Sequence, residues 1–405
     1  MMYQMYQAQA DFASQVRGWA GMTSALLHHP FADALAPFGM RYATAGYDML
    51  ARAGMSHTRP PFGIEAVRIG DDDVPVREAI ADATPFASLI HFAKDVATPL
   101  PRVLVVAPMS GHFATLLRAT VRTLLPEHDV YITDWHNARD IALADGRFGV
   151  DEYVDHLIRF LEVIGPGGHV VAVCQPCVPV LAAVAVMAEG GNPAQPRSMT
   201  LMAGPVDARV NPTSVNKLAT SHPMSWFEQN VIATVPARHP GGGRRVYPGF
   251  LQLMGFVSMN LKRHVRAHLE LYADLATGKD DEAQAIASFY DEYFAVADLP
   301  ADFYLETVRD VFQEYTLARG TMTWHGQRVN PAAIGRTSLL TVEGERDDVC
   351  GIGQTMAAHD LCTGIRPYRK RHHLQPGVGH YGVFSGRRWA QHIAPVVHNV
   401  ILAAD

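Results

Sequence analysis

The 405-residue sequence has no uninterrupted apolar run of about 18 residues, so no helix is expected to cross a membrane. No Lys or Arg precedes Arg17, so the basic start of a secretory signal is missing and a cytoplasmic location is expected. Cysteine is scarce. Cys174, Cys177, Cys350 and Cys362 do not form a disulfide framework, which suits a reducing compartment. Neither sign of charge dominates, and a net charge of −6 offers no general attraction for nucleic acid. The 20 histidines are scattered, with no H-E-x-x-H or similar ligand spacing, so no metal is expected.

What is present is organised around residues 168–185. Residues 170–173 are a short β-branched run that reads as a buried strand. Pro176 suits a first helical position, and residues 181–187 continue as an apolar helix. Cys174 is therefore expected on a sharp strand-to-helix turn, the way an α/β-hydrolase presents its nucleophile. A thiol there feels the positive end of the helix dipole, which favours thiolate. The following N–H, of Gln175, points the same way and suits an oxyanion. Ala172 and Pro176 flank the turn; the proline departs from the usual glycine. Two other readings remain open. Cys174 and Cys177 have the C-x-x-C spacing of a redox pair, and the four cysteines suit zinc ligands or plain core residues.

Residues 1–60 read as a helical segment, with one helix ending at Pro30 and a second over 31–53, packed as a hairpin on the main domain. Met5, Phe12, Val16 and Trp19 recur at near-helical spacing; the alternative use of this apolar material is a surface for an oligomer partner or a hydrophobic substrate. Strands are predicted at 65–69, 74–80 and 87–92, with turns at 70–72 and 84–85. From 103 to 203 buried strands alternate with helices, the pattern of a parallel sheet covered on both faces. Alternation stops at Gly204. Residues 205–335 show helical patterns, many aromatics and no convincing strand, and are read as a helical cap. A strand at 338–342, a helix at 353–362, a strand at 368–374 and a closing helix at 389–402 complete the core. The expected fold is thus an α/β-hydrolase core of residues 61–204 and 336–405, carrying the cap and the N-terminal helical segment.

Three candidate groups then share one sheet edge, where open α/β sheets bind ligands. Cys174 ends one strand, Asp347 follows another, and His380 lies in the glycine-rich loop after the last. Nucleophile, acid, histidine is the α/β-hydrolase chain order. His380 is positioned to serve as base, with Asp347 orienting it; Asp347 is preferred to Asp348 because it is third after Gly344. Met109 or Ser110, after the strand ending at Ala107, supplies the second oxyanion N–H. The competing reading of Ser110 is a helix cap.

The run Val173-Cys174-Gln175-Pro176-Cys177, the Tyr-Ile-Thr-Asp-Trp stretch at 131–135 and the Gly-Val-Gly-His-Tyr-Gly loop at 377–382 resemble the intracellular polyhydroxybutyrate (PHB) depolymerases. The resemblance covers nearly the whole chain. It implies a Cys174–Asp347–His380 triad and hydrolysis of amorphous poly(3-hydroxybutyrate). It also implies polymer granules as partner, a cytoplasmic location on those granules, and no cofactor. Homo-oligomers are compatible with it. Polyhydroxyalkanoate synthases share the fold and triad, but their elbow resembles Gly-x-Cys-x-Gly-Gly, from which Ala172, Pro176 and Cys177 depart. Synthase or CoA-dependent acyl transfer, with CoA as acyl acceptor, remains the alternative, although no clear CoA phosphate site is visible. Arg244-Arg245 and Arg369-Lys370-Arg371 are the cationic patches. A noncatalytic granule protein on the same fold is the remaining reading.

Overall fold

The computed structural model describes residues 2–29 and 40–405. In chain order the helices α1 (Met2–Leu27) and α2 (Met40–Arg52) come first; residues 31–39 of the expected second helix lie outside the described residues. The strands β1 (Ala66–Ile69), β2 (Asp72–Ala83), β3 (Ala87–Lys94), β4 (Arg102–Val106), β5 (Asp129–Trp135), β6 (His169–Val173) and β7 (Ser198–Met202) follow. Helices α3 (Arg118–Leu124), α4 (Val150–Ile164) and α5 (Cys177–Glu189) connect β4 to β7.

Between β7 and the next strand of the main sheet the chain runs through α6 (Ser214–Ser221), α7 (Met224–Asn230), α8 (Gly249–Met259), α9 (Leu261–Thr277), α10 (Asp280–Tyr293) and α11 (Ala301–Thr307). This stretch also holds the short strands β8 (Ala233–Thr234), β9 (Arg245–Tyr247), β10 (Leu299–Pro300), β11 (Thr323–Trp324) and β12 (Gln327–Arg328). The expectation that it lacks strands is therefore corrected. β10, β9 and β8 form a small sheet, and β11 and β12 a hairpin. Strands of two or three residues are too short to leave an alternation in the sequence. The chain then closes with β13 (Ser338–Gly344), β14 (Lys370–Gln375) and α12 (Ala394–Ala404).

The nine-stranded sheet has the order β1-β2-β3-β5-β4-β6-β7-β13-β14. β3 runs antiparallel to both β2 and β5, and from β5 to β14 the strands are parallel. Leaving aside the edge strand β1, an antiparallel second strand and the exchange of β4 and β5 are the α/β-hydrolase arrangement. β6 is buried along its whole length because helices cover both faces, which is why its sequence is a continuous apolar run. α5 is apolar on every side and buried from Cys177 to Ala185.

α1 and α2 pack on each other, with Ser24 bonded to Asp48 and Trp19 edge-on to Tyr47. The pair, expected to pack on the main domain, rests on the insertion, α2 against α9. Asp298 holds the joint. Its side chain accepts from Tyr3 Oη and from the Gly249 N–H at the start of α8, and its backbone binds the Asn137 loop. On the outer side of α1, Met5, Phe12, Trp19 and Leu26, each seven residues apart, stay mostly in solvent.

Two other expectations change. The helix expected over 353–362 is a single turn, Ala358–Leu361, preceded by turns. The buried carboxylate of Glu343 takes the N–H groups of Gly353, Thr355 and Met356, and the segment closes in turns such as Gln354 N–H to Gly351 O and Ala358 N–H to Thr355 O. The last strand starts at Lys370 because Pro367–Arg369 forms a tight turn.

Gly204, just past β7, is packed directly against the Cys174 turn. A Cβ there would lie 2.3 Å from Cys177 Cβ and 2.4 Å from the Cys174 carbonyl. Gly204→Ala should lower stability by about 1–3 kcal/mol and displace the turn at Cys174. Denaturant unfolding of the variant checks this, and wild-type stability would show that the neighbouring backbone yields freely.

Candidate active site

Cys174 follows β6 with φ of 68°, a left-handed conformation that a side chain disfavours. Its N–H donates to Met202 O (2.7 Å), and the Cys177 N–H returns to its carbonyl (3.2 Å). The strained turn lifts the thiol to a half-buried position, while Pro176 starts α5 directly behind it. Cys177 points the other way. Its thiol faces the carbonyls of Ala172 and Met202 inside the core, and burial pushes its pKa well above the usual cysteine value. Cys350 is pushed up in the same way, and Cys362 up to about 12. Cys174 is the one cysteine that is not buried.

His380 and Asp347 arrive from the next loops. The loop after β13 is tied to the loop after β14 by Arg346 N–H to Val378 O (2.8 Å) and Gly377 N–H to Glu345 Oε2 (2.7 Å). Gly344 permits this approach; a Cβ there would sit 2.7 Å from Val378 O. Asp347 Oδ2 then accepts from His380 Nδ1 at 2.8 Å. Its other oxygen accepts the N–H groups of Val349 (2.9 Å) and Cys350 (2.8 Å), so the carboxylate is fully held. Asp348 instead accepts from Asn260 at 3.2 Å and is exposed.

The imidazole of His380 also lies within electrostatic reach of Cys174. Burial alone would lower its pKa. The negative charges of Cys174 and Asp347 outweigh burial and hold it well above the usual histidine value. The site is thus arranged to favour an imidazolium between Cys174 and Asp347.

Met109 and Ser110 follow β4. The 131–135 stretch positions them from below: Ala107 N–H donates to Thr133 Oγ1 (2.9 Å), and Trp135 Nε1 donates to Ala107 O (2.9 Å). Those two anchoring side chains were not identified from the sequence as serving the site. Met109 N–H donates to the side-chain oxygen of Gln175 (3.2 Å). The carboxamide of Gln175 thus occupies one of the two N–H groups expected to hold an oxyanion, a contact that sequence spacing does not reveal. The next segment, 111–113, is bridged to the insertion: Ala297 N–H donates to Gly111 O (2.9 Å), and His112 pairs with Val296.

A cavity of about 430 Å³ opens between the insertion and the His380 loop. Phe256, Met259, Phe289 and Tyr293 line its apolar wall, and His380 lies at its floor. Phe250 of the insertion packs instead on Tyr3 and Tyr6 of α1, and Phe303 on Tyr153 of the main core. A larger cavity of about 790 Å³ lies near Pro166 and the end of α5, at the opposite edge of the sheet. The basic patches noted in the sequence are committed elsewhere. Arg244 is buried against the carbonyls of Ile141, Ala142 and Gly146, Arg245 pairs with Glu228, and Arg369 holds Arg336 O.

The strand order, the strained turn after β6 and the loops that meet it define an α/β-hydrolase. The chain belongs to the family described as PHB de-polymerase C-terminus, whose model matches residues 203–405, about half of its length. It is a carboxylic ester hydrolase. No curated protein matches the sequence. Among solved structures it is similar to a putative lipase from Acinetobacter baumannii AYE, with 13% identity, 82% of this chain and 93% of that chain covered, and a TM-score of 0.44. It is also similar to a 2-hydroxy-6-oxo-6-phenylhexa-2,4-dienoate hydrolase from Rhodococcus sp. strain RHA1, with 12% identity, 81% and 99% covered, and a TM-score of 0.44. A monoacylglycerol lipase of Paleococcus ferrophilus shows 9% identity, 79% and 99% covered, and a TM-score of 0.45. Likeness at this level says nothing about substrate.

The raised pKa of His380 has a testable sign. A histidine raised above its unfolded value of about 6.5 adds stability below that pH and loses it as pH climbs through the folded value. In Cys174→Ala the larger of the two raising charges is gone. An NMR titration of the His380 ring should show a high pKa in the wild type and a clear fall in the variant. Equal values in the two proteins would mean that the thiolate does not charge the imidazole.

Proposed function

We propose that the protein hydrolyses ester bonds of amorphous poly(3-hydroxybutyrate) through Cys174, His380 and Asp347, by way of an acyl-thioester enzyme. The observation that carries this reading is the His380–Asp347 hydrogen bond, with the buried ring within electrostatic reach of Cys174 on its left-handed turn. Family membership supports the polyester as substrate. Cys174 Sγ attacks the ester carbonyl carbon; a C–S bond forms and the ester C–O bond breaks. His380 takes the thiol proton and hands it to the departing alkoxide. Water, deprotonated by the same imidazole, then cleaves the thioester and restores the thiol. Asp347 holds the ring tautomer and balances the imidazolium. The N–H groups of Gln175 and Met109 hold the oxyanion, Ser110 lying next along the same loop. Gln175 must therefore turn its side chain away from Met109 when substrate binds. The reaction needs no cofactor.

The same reading puts the protein in the cytoplasm on polymer granules. The exposed apolar stripe of α1 supports that reading, being a surface either for polymer or for a second copy of the chain. The aromatic cavity above His380 suits a mobile chain entering singly, as amorphous polymer offers.

The test is turnover of amorphous granules and soluble 3-hydroxybutyrate oligomers, with and without CoA, and with products identified by mass. Free acid should form without CoA, and the same polymer should resist after crystallisation. Cys174→Ala should lose turnover, whereas Cys177→Ala should keep most of it; the reverse would move the nucleophile. Gln175→Ala, which vacates the Met109 N–H, should lower KM for oligomers. A fall in kcat instead would make its carboxamide part of the machinery. Polymer growth from 3-hydroxybutyryl-CoA would establish a synthase in place of this reading.

A further inference from the structure

Three arginines from distant parts of the chain meet around the cavity above His380. Arg263 comes from α9, Arg346 from the loop that carries Asp347, and Arg388 from the turn before α12. Among the described residues, no ion pair joins Arg263, Arg346 or Arg388 to a carboxylate, and Arg388 hydrogen-bonds to His392. The Arg263 charge also reaches the site: it adds to burial in lowering the pKa of His264, and it partly opposes the burial that raises Tyr293 and Tyr381. The one carboxylate on the lining is Asp348, which accepts from Asn260. The cavity thus joins an apolar wall to a mouth with cationic excess.

The chemistry of the proposed reaction says what belongs there. When a polyester ester bond breaks, the acyl half stays on Cys174 and the alkoxide half leaves from the His380 side, taking the proton. In a 3-hydroxyalkanoate chain the alkoxide half is the one that runs on to the carboxyl terminus. The cavity reaches His380 and is not lined by Cys174, so it lies on the leaving-group side. At about 430 Å³ it has room for a short segment and not for a long one.

We propose that this cavity binds the carboxylate-terminated leaving segment of the chain, with Arg263 and Arg346 pairing the carboxylate and Arg388 reinforcing the field. Resting on the hydrolase reading above, this makes the enzyme one that prefers cuts near carboxyl ends. Phe256, Met259 and Phe289 hold the methyl-bearing backbone of the segment, and the arginines read its charge. Guanidinium is well matched to a carboxylate by its paired N–H donors.

The experiment compares soluble 3-hydroxybutyrate trimers bearing a free carboxylate with the same trimers as methyl esters. A charged hydrogen bond is worth about 1.5–3 kcal/mol, equivalent to roughly 10- to 100-fold. The wild type should therefore favour the free acid by about that factor in kcat/KM, chiefly through KM. In the double variant Arg263→Gln, Arg346→Gln the ratio should fall to near one; both side chains are exposed, so folding is not at stake. Binding of the two trimers to Cys174→Ala protein by calorimetry reads the site without chemistry. If that binding preference is present while the wild type cleaves neither trimer, the hydrolase reading fails and the carboxylate site stands. Equal binding of acid and ester, or a preference that survives the double substitution, overturns the proposal. Equal trimers together with tight binding of CoA that the double variant loses would assign the arginines to phosphate and equally overturn it.

Discussion

Everything in the site follows from the left-handed backbone at Cys174. That conformation costs energy for any side chain. It persists because β6 is hydrogen-bonded on both edges, α5 is buried behind it, and Gly204 leaves room for Cys177 and the Cys174 carbonyl. The strain is local and its result is chemical. It turns one thiol out of the core toward a buried histidine, while the next cysteine, three residues on, is turned inward and held protonated.

The second constraint is the coupling of loops. Asp347 and His380 follow adjacent parallel strands, so their loops start close together, and Gly344 lets them close the last distance. The oxyanion loop is fixed by Thr133 and Trp135 below and by the insertion above. The insertion in turn is anchored through Asp298 to Tyr3 of α1. A hydrogen-bonded route thus links the N-terminal helix to the neighbourhood of the thiol.

Much of this was legible in the sequence because buried parallel strands are dense in β-branched residues. Residues 103–107, 170–173 and 338–342 stood out for that reason, and the three candidate side chains fall at their ends or in the loop after the next strand. What was not legible depends on contacts between distant residues. The helix expected at 353–362 is replaced by turns that Glu343, ten residues upstream, ties down through their N–H groups. The strands of the insertion are too short to show a period. The side chain of Gln175 lies on Met109 by three-dimensional proximity alone, and Arg263, Arg346 and Arg388 become a group only when three segments fold together.

The most direct measurement on the account is the identity of the covalent intermediate. The protein is mixed with a soluble 3-hydroxybutyrate oligomer, quenched in acid within the first turnovers, digested and analysed by mass. The peptide containing Cys174 should carry a 3-hydroxyacyl group that neutral hydroxylamine removes, as expected of a thioester. An acyl group on Ser110 or Cys177, or turnover with no acyl-enzyme at any time, would contradict the account.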